Sequence, residues 1–365
     1  MSASELSRGS STRLGWLQIL RALAAAGVVV AHIGLDVQVV NERLGTRLEF
    51  WNLNWVYGVD IFFLISGFIM LRSSLDDFGK PGAASDFLLR RIVRIAPLYW
   101  ILTLLLALGG TLSPNLLNGG LAGPDVLATS MLFIPYDRAR AGIAPLLGVG
   151  WTLNYEMFFY VLFAAAMLLP RKFGLPALFA TLIGLSVSGA VFHFEAAALS
   201  VWTDPLLLEF LMGMGVALLS RQAPAPPPKL AIALLTAVAL ALSALVLFRW
   251  LPLTPRALFA GIPAMLLVTL GVYFPQPRHS RLFTFGEVLG DASFSLYLSH
   301  LFTIRLVREL YVHAIGTALP VAFFALLAFL SAQYAAVLIY RHVERPLTLA
   351  ITGYTAHSRR RTQSA

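Results

Sequence analysis

Ten apolar runs, each close to the length of a bilayer core, divide this chain, and nothing between them is long enough to fold by itself. They lie at 14–35, 54–71, 95–110, 150–169, 173–192, 204–220, 229–248, 256–274, 290–311 and 318–340. A helix rises 1.5 Å per residue, so a hydrocarbon core of about 30 Å takes roughly 20 apolar residues. Inside that core every backbone N–H and C=O must be bonded within the segment, which leaves helices as the form such runs can take. The expected fold is therefore all-α, a polytopic integral membrane bundle of about ten transmembrane helices. With 58% hydrophobic and 12% charged residues, no polar block of domain size remains. One membrane domain is expected at 14–346, between an N-terminal segment, 1–13, and a basic tail, 347–365. The stretch 121–135 is apolar but short and bracketed by Pro124 and Pro135, which suits a re-entrant or interfacial piece.

Positive charge orients such a bundle, because Lys and Arg accumulate in cytoplasmic loops. With ten crossings and a cytoplasmic N-terminus, eighteen of the 27 basic residues fall on the cytoplasmic side, among them Arg8, Arg13, Arg72, Lys80, Arg90, Arg91, Arg94, Arg171, Lys172, Arg278 and Arg359–Arg361. Six fall outside: Arg43, Arg47, Arg138, Arg140, Arg249 and Arg256. Both termini are expected in the cytoplasm. An eleventh crossing at 121–135 would invert the bias after it. The first run exceeds a signal-peptide core and is interrupted by Arg21, so it reads as a retained helix. The same loop bias accounts for the net charge of +9 without any nucleic-acid partner.

Within the first run stand Arg21 and His32. Eleven residues at 100° each return to within about 20° of the starting face, some 16 Å further along the axis, so both groups point the same way. A cation at mid-membrane depth costs at least ~2.5 kcal/mol on insertion scales, so Arg21 calls for a use inside the bundle. Near the outer ends of their helices lie Asp60 and Glu156. A neutral imidazole with a carboxylate partner makes a general base, and either carboxylate could serve His32; each could equally be a helix cap or an ion pair to an arginine. Ser293, Tyr297, His300 and Arg308 form a second polar stripe on one broad helix face, open to either a packing or a substrate role. Arg90, Arg91 and Arg94 make a compact cationic patch before Pro97. Such a patch suits a phosphate-bearing ligand or anionic lipid headgroups.

The chain contains no cysteine, which rules out disulfides, thiolate metal sites and an acyl-cysteine intermediate. It also lacks a Gly-x-Ser-x-Gly elbow, a Gly-x-x-x-x-Gly-Lys loop and a His-Glu-x-x-His pair, so hydrolase, nucleotide-driven and zinc-protease chemistries have no support and no metal is expected.

Ordered along the chain are Arg21 with ten residues before His32, Gly58-Val-Asp-Ile-Phe-Phe-Leu-Ile-Ser-Gly-Phe68, the Arg-Arg-x-x-Arg-Ile-x-Pro-x-Tyr-Trp run from Arg90, Trp151-Thr-Leu-Asn-Tyr-Glu156, Ser293-Phe-Ser-Leu-Tyr-Leu-Ser-His300 and Glu344-Arg-Pro346. Together they resemble the acyltransferase 3 family of bacterial membrane proteins. The resemblance departs at Thr152, where serine is common, although the hydroxyl is kept. It implies O-acylation, usually acetylation, of carbohydrate hydroxyls with acyl-CoA, most often acetyl-CoA, as co-substrate. The stand-alone members act on exopolysaccharide or O-antigen sugars, free or lipid-linked, at the inner membrane; a C-terminal hydrolase-like domain is not expected. On that reading His32, with Asp60 or Glu156, is catalytic. Arg21, Arg90, Arg91 and Arg94 hold the donor, and Tyr297, His300 and Arg308 contact substrate, with Tyr297, Arg305 or Arg308 steadying the oxyanion. A glycolipid transporter or flippase is the rival, in which Arg21, Asp60 and Glu156 line a translocation path.

Overall fold

The computed structural model describes residues 14–50, 53–112, 123–138, 142–223, 225–251, 255–275 and 280–353. The segment 1–13, most of the tail, and Arg8, Arg13, Arg140, Arg278 and Arg359–Arg361 of the charge count lie outside the described residues. All ten apolar runs are helical, and among the described residues the only strand-like pairing is an isolated bridge between Asp137 and Ile143.

The first helix, α1 (Gly15–Leu44), runs nine residues past the expected end of its span. It closes on Gly45, whose φ of 66° lets its N–H turn back to Asn41 O. There follow α2 (Tyr57–Ser74), α3 (Ala83–Leu112), α4 (Pro124–Met131), α5 (Trp151–Met167), α6 (Arg171–Val191), α7 (Ala197–Trp202), α8 (Leu207–Gln222) and α9 (Lys229–Leu247). A π-turn, Ala257–Gly261, leads into α10 (Ile262–Tyr273); then come α11 (Arg281–Asp291), α12 (Ser293–Leu310) and α13 (Val321–Ile339). Helical structure continues beyond α13 to residue 353. The 121–135 stretch forms only the eight-residue α4, too short to cross, with Pro124 at its first turn.

Among the described residues, seven helical segments are long and apolar enough to cross a membrane: 15–44, 57–77, 83–111, 171–191, 197–222, 229–247 and 321–353. Three of the ten expected spans fall short of that standard. α5 and the 257–273 helix have 17 residues each, about a turn short of the bilayer core. α12 carries Arg305, Arg308 and Glu309 near its end. α3 begins twelve residues before its expected start and passes through Pro97, so the arginine patch is helical rather than a loop. The backbone groups freed at such a proline can be satisfied by neighbouring helices.

Small residues let the helices meet backbone to backbone. A Cβ placed on Gly67 of α2 would stand 2.0 Å from Phe210 O of α8, and one on Gly213 of α8 would stand 2.0 Å from Leu64 O of α2. Gly58 likewise lies against Ala24 O of α1. Since lipid tails are as apolar as leucine, such close packing rather than burial drives association in a bilayer. Large apolar side chains accordingly face outward, including Leu104, Leu105 and Leu108 on α3 and Leu326 and Leu330 on α13. Two interior clusters result, one centred on α2, α3, α5 and α8 and one on α1, α12 and α13. The candidate site lies where α1, α2, α3, α5 and α12 converge.

Candidate active site

Arg21 is buried, 8% exposed, on the inward face of α1, and its Nη1 donates to Gln18 Oε1 at 3.1 Å. It lines a cavity of about 90 Å³ together with Arg91, Arg94, Glu156, Thr152 and Tyr297. Arg94 is exposed, and Arg91 packs over the Phe87 ring at 5.6 Å with its Nε buried and unpartnered. A buried N–H without an acceptor is costly unless a ligand supplies one. Three arginines against the single Glu156 carboxylate make this cavity suited to an anion. Arg90, also part of the sequence patch, is exposed and does not line it. Glu344, from the Glu-Arg-Pro motif, accepts from Ser295 Oγ at 2.5 Å, within the field of Arg21 and Arg94.

Tyr297 also lines the cavity, and its ring centroid is 6.3 Å from that of His300. The Tyr297 hydroxyl donates to Val149 O at 2.8 Å and meets Thr152 Oγ1 at 2.9 Å. Its one hydrogen is thus engaged, and Thr152, the residue that departs from the common serine, uses its hydroxyl to hold Tyr297.

His32 and His300 meet across α1 and α12. His32 Nδ1 lies 2.9 Å from Val28 O and 3.3 Å from His300 Nε2, while His300 Nδ1 lies 3.0 Å from Leu296 O. A carbonyl only accepts, so each Nδ1 must carry the hydrogen. His300 Nε2 then holds a lone pair toward the His32 Nδ1–H. The His32 Nε2 lone pair is left to receive a proton. Neither Asp60 nor Glu156 fills the partner role expected for a carboxylate. Glu156 accepts from Ser66 Oγ at 2.9 Å and from the Tyr160 hydroxyl, in the arginine cavity. Asp60, 1% exposed, holds Arg256 through a two-pronged pair at 2.7 and 2.9 Å.

Two buried carboxylates escaped the sequence reading. Asp36 lies one turn beyond His32, within its field, and takes Arg308 Nη1 at 2.6 Å. Arg308 is therefore held in an ion pair, with Glu309 as a second partner at 2.8 Å. Asp36 could have been found from its i+4 spacing to His32, had α1 not been ended at Leu35. Glu209 of α8 is fully buried near Asp60 and Arg256. A carboxylate well inside the apolar run 204–220 was its signal. Among the described residues no group of three or more His, Asp or Glu side chains could hold a metal ion.

Comparison with known proteins bears on what this arrangement does. The chain is 37% identical over 296 residues to the exopolysaccharide production protein ExoZ of Rhizobium meliloti, covering 80% of this chain and 88% of that one. It is 28% identical over 333 residues to the acyltransferase MdmB of Streptomyces mycarofaciens, covering 84% and 83% respectively. No solved structure matches the chain. The model of an acyltransferase domain matches residues 14–341, which take in Arg21, His32 and every motif except Glu344-Arg-Pro346. This integral membrane protein belongs to the acyltransferase 3 family and is an acyltransferase.

Proposed function

We propose that the protein transfers an acetyl or similar short acyl group from acyl-CoA to a hydroxyl of an exported polysaccharide or its lipid-linked precursor. The observation that carries this reading is the line of polar groups through the bundle: Arg94 and Arg91, then Arg21, then Tyr297, then the His300–His32 pair. The arginine end suits the phosphates of coenzyme A, and the histidine end suits a hydroxyl acceptor. The name of the ExoZ relative supports a polysaccharide as that acceptor. Ten crossings, both termini cytoplasmic and residence in the bacterial inner membrane complete the reading. That topology puts Arg91 and Arg94 at the cytoplasmic face, where acyl-CoA is made.

In the reaction His32 Nε2 takes the acceptor's hydroxyl proton as the oxygen attacks the thioester carbonyl carbon. The C–O bond forms, the carbonyl becomes an oxyanion, and the C–S bond then breaks. The proton held on His32 passes to the departing coenzyme A sulfur. His300 steadies the imidazolium through His32 Nδ1–H, and a positioned base of this kind contributes about 10² to 10⁴ in rate. The oxyanion is stabilised by Arg305, whose charge reaches His32, by Arg308 or by the Tyr297 hydroxyl. Asp60 acts through Arg256, and Glu156 lies with the donor-binding arginines.

The test is mass spectrometry of surface polysaccharide from cells carrying wild type or His32→Ala. The expected result is loss of the acyl mass with normal membrane levels of the variant. Normal acylation by His32→Ala overturns the assignment. A reporter active only outside the cytoplasm, fused after residue 365, is expected to stay silent.

A further inference from the structure

A second cavity, of about 710 Å³, runs along the α1 segment that carries His32 and shares no lining residue with the Arg21 cavity. Its floor is small. Ala31 and Gly34 line it, and Gly27 continues the same face of α1, the three falling within an arc of about 60°. A Cβ at Gly27 would lie 3.4 Å from the Trp55 ring, and one at Gly34 would lie 2.9 Å from the Phe50 ring. The two rings are thus seated on bare helix backbone about 10 Å apart, with Ala31 between them. Residues 46–48, ahead of Phe50, are held by Asn41, which donates to Leu48 O at 3.0 Å and accepts from Leu48 N at 3.1 Å and Thr46 Oγ1 at 2.9 Å.

The walls carry Gln38, Glu49, Asn54 and Arg256. Asp60 takes Nε and Nη2 of Arg256, which fixes the guanidinium at the cavity wall. Trp55 Nε1 is a buried donor with no acceptor. The contrast with the Arg21 cavity is one of charge. Here Glu49 stands with Arg249 and Arg256, and Asp60 backs Arg256, so the walls are close to balanced rather than strongly cationic. A pyranose offers C–H groups on its faces and hydroxyls around its rim; aromatic faces suit the former, and planar amide, carboxylate and guanidinium groups the latter in pairs. The volume falls within the roughly 300–1,000 Å³ of small-ligand sites. Leu35, at the rim, is about 60° around α1 from His32, so a ring held here lies beside the base.

We propose that this cavity is the acceptor site and takes one or more neutral pyranose rings of the saccharide; the assignment rests on the acyl-transfer reading above. The test uses the full chain in lipid nanodiscs, acetyl-CoA, and oligosaccharides released from the host's surface polysaccharide and stripped of acyl groups by mild base. Ala31→Leu fills the floor, and Gln38→Ala removes an exposed polar wall residue without touching the core. Both are expected to raise the acceptor KM about tenfold or more while the acetyl-CoA KM stays within about twofold. Equilibrium binding of tritiated oligosaccharide without donor is expected to fall in parallel. Unchanged acceptor KM and oligosaccharide binding in both variants overturn the cavity assignment while transfer by wild type upholds the reaction. Oligosaccharide binding that Ala31→Leu abolishes, with no acyl transfer by wild type, upholds the cavity and overturns the reaction. Wild type that neither binds nor modifies the oligosaccharide overturns both.

Discussion

Replacing His300 with leucine separates a histidine that orients the base from one that is the base. His300 is fully buried, so a side chain of similar volume is the gentlest way to remove its Nε2 lone pair without opening a cavity. What is lost is the 3.3 Å contact to His32 Nδ1, whose hydrogen keeps its 2.9 Å bond to Val28 O. A hydrogen bond between neutral groups contributes about 1 kcal/mol net, and one to a charged group about 1.5–3 kcal/mol. Because His32 is neutral before proton transfer and cationic after it, only the difference, about 0.5–2 kcal/mol, appears in the barrier. That corresponds to roughly two- to thirtyfold in kcat. The glutamine variant presents Oε1 as an acceptor and is expected to recover much of the loss. His32→Ala, in contrast, is expected to lose about 10² to 10⁴. The assay is kcat at saturating acetyl-CoA and acceptor in nanodiscs, with the melting temperature of each variant measured alongside. A fully active His300→Leu shows that the contact has no part in the reaction. A His300→Leu as inactive as His32→Ala shows that His300 itself takes the proton.

Arg91→Gln or Arg94→Gln is expected to weaken acyl-CoA binding several-fold, measured by titrating labelled coenzyme A, whereas Arg90→Gln binds as wild type because Arg90 does not line the cavity. Equal affinities for all four proteins refute the donor assignment. Asp60→Ala is expected to lower stability by about 2–3 kcal/mol, read as a lower melting temperature, because it strips the Arg256 guanidinium of a charged, two-pronged partner. Gly67→Ala and Gly213→Ala each force α2 and α8 apart and are expected to cost about 1–3 kcal/mol, with the double variant costing less than the sum because both demand the same separation. Additive losses refute that shared cause.

The rival reading as a transporter drew on the same charges. Family membership decides for acyl transfer, and the structure shows those charges in different employment. Asp60 anchors Arg256, Glu156 stands among the cavity arginines, and Arg21 shares their cavity. Among the described residues seven helices satisfy the length and composition of a membrane span; the other three of the ten expected spans are helical but shorter or more charged.

The sequence by itself determined the helices, their membrane setting and the alignment of Arg21 with His32, since spacing along one helix is a local matter of 100° per residue. It also marked Arg91 and Arg94 as a patch, Tyr297 and His300 as one stripe, and the ordered motifs of the family. Tertiary structure alone decided which group touches His32. The candidates by charge were Asp60 and Glu156; the partner is His300, 268 residues away. It also decided that Arg90 turns away while its neighbours line a cavity, and that Trp55 and Phe50 sit over Gly27 and Gly34. Helical periodicity fixes where a side chain lies around its own axis. Which neighbour it meets depends on how far each helix is rotated against the next, and contacts between residues far apart in the chain, such as Gly67 against Phe210, set that rotation.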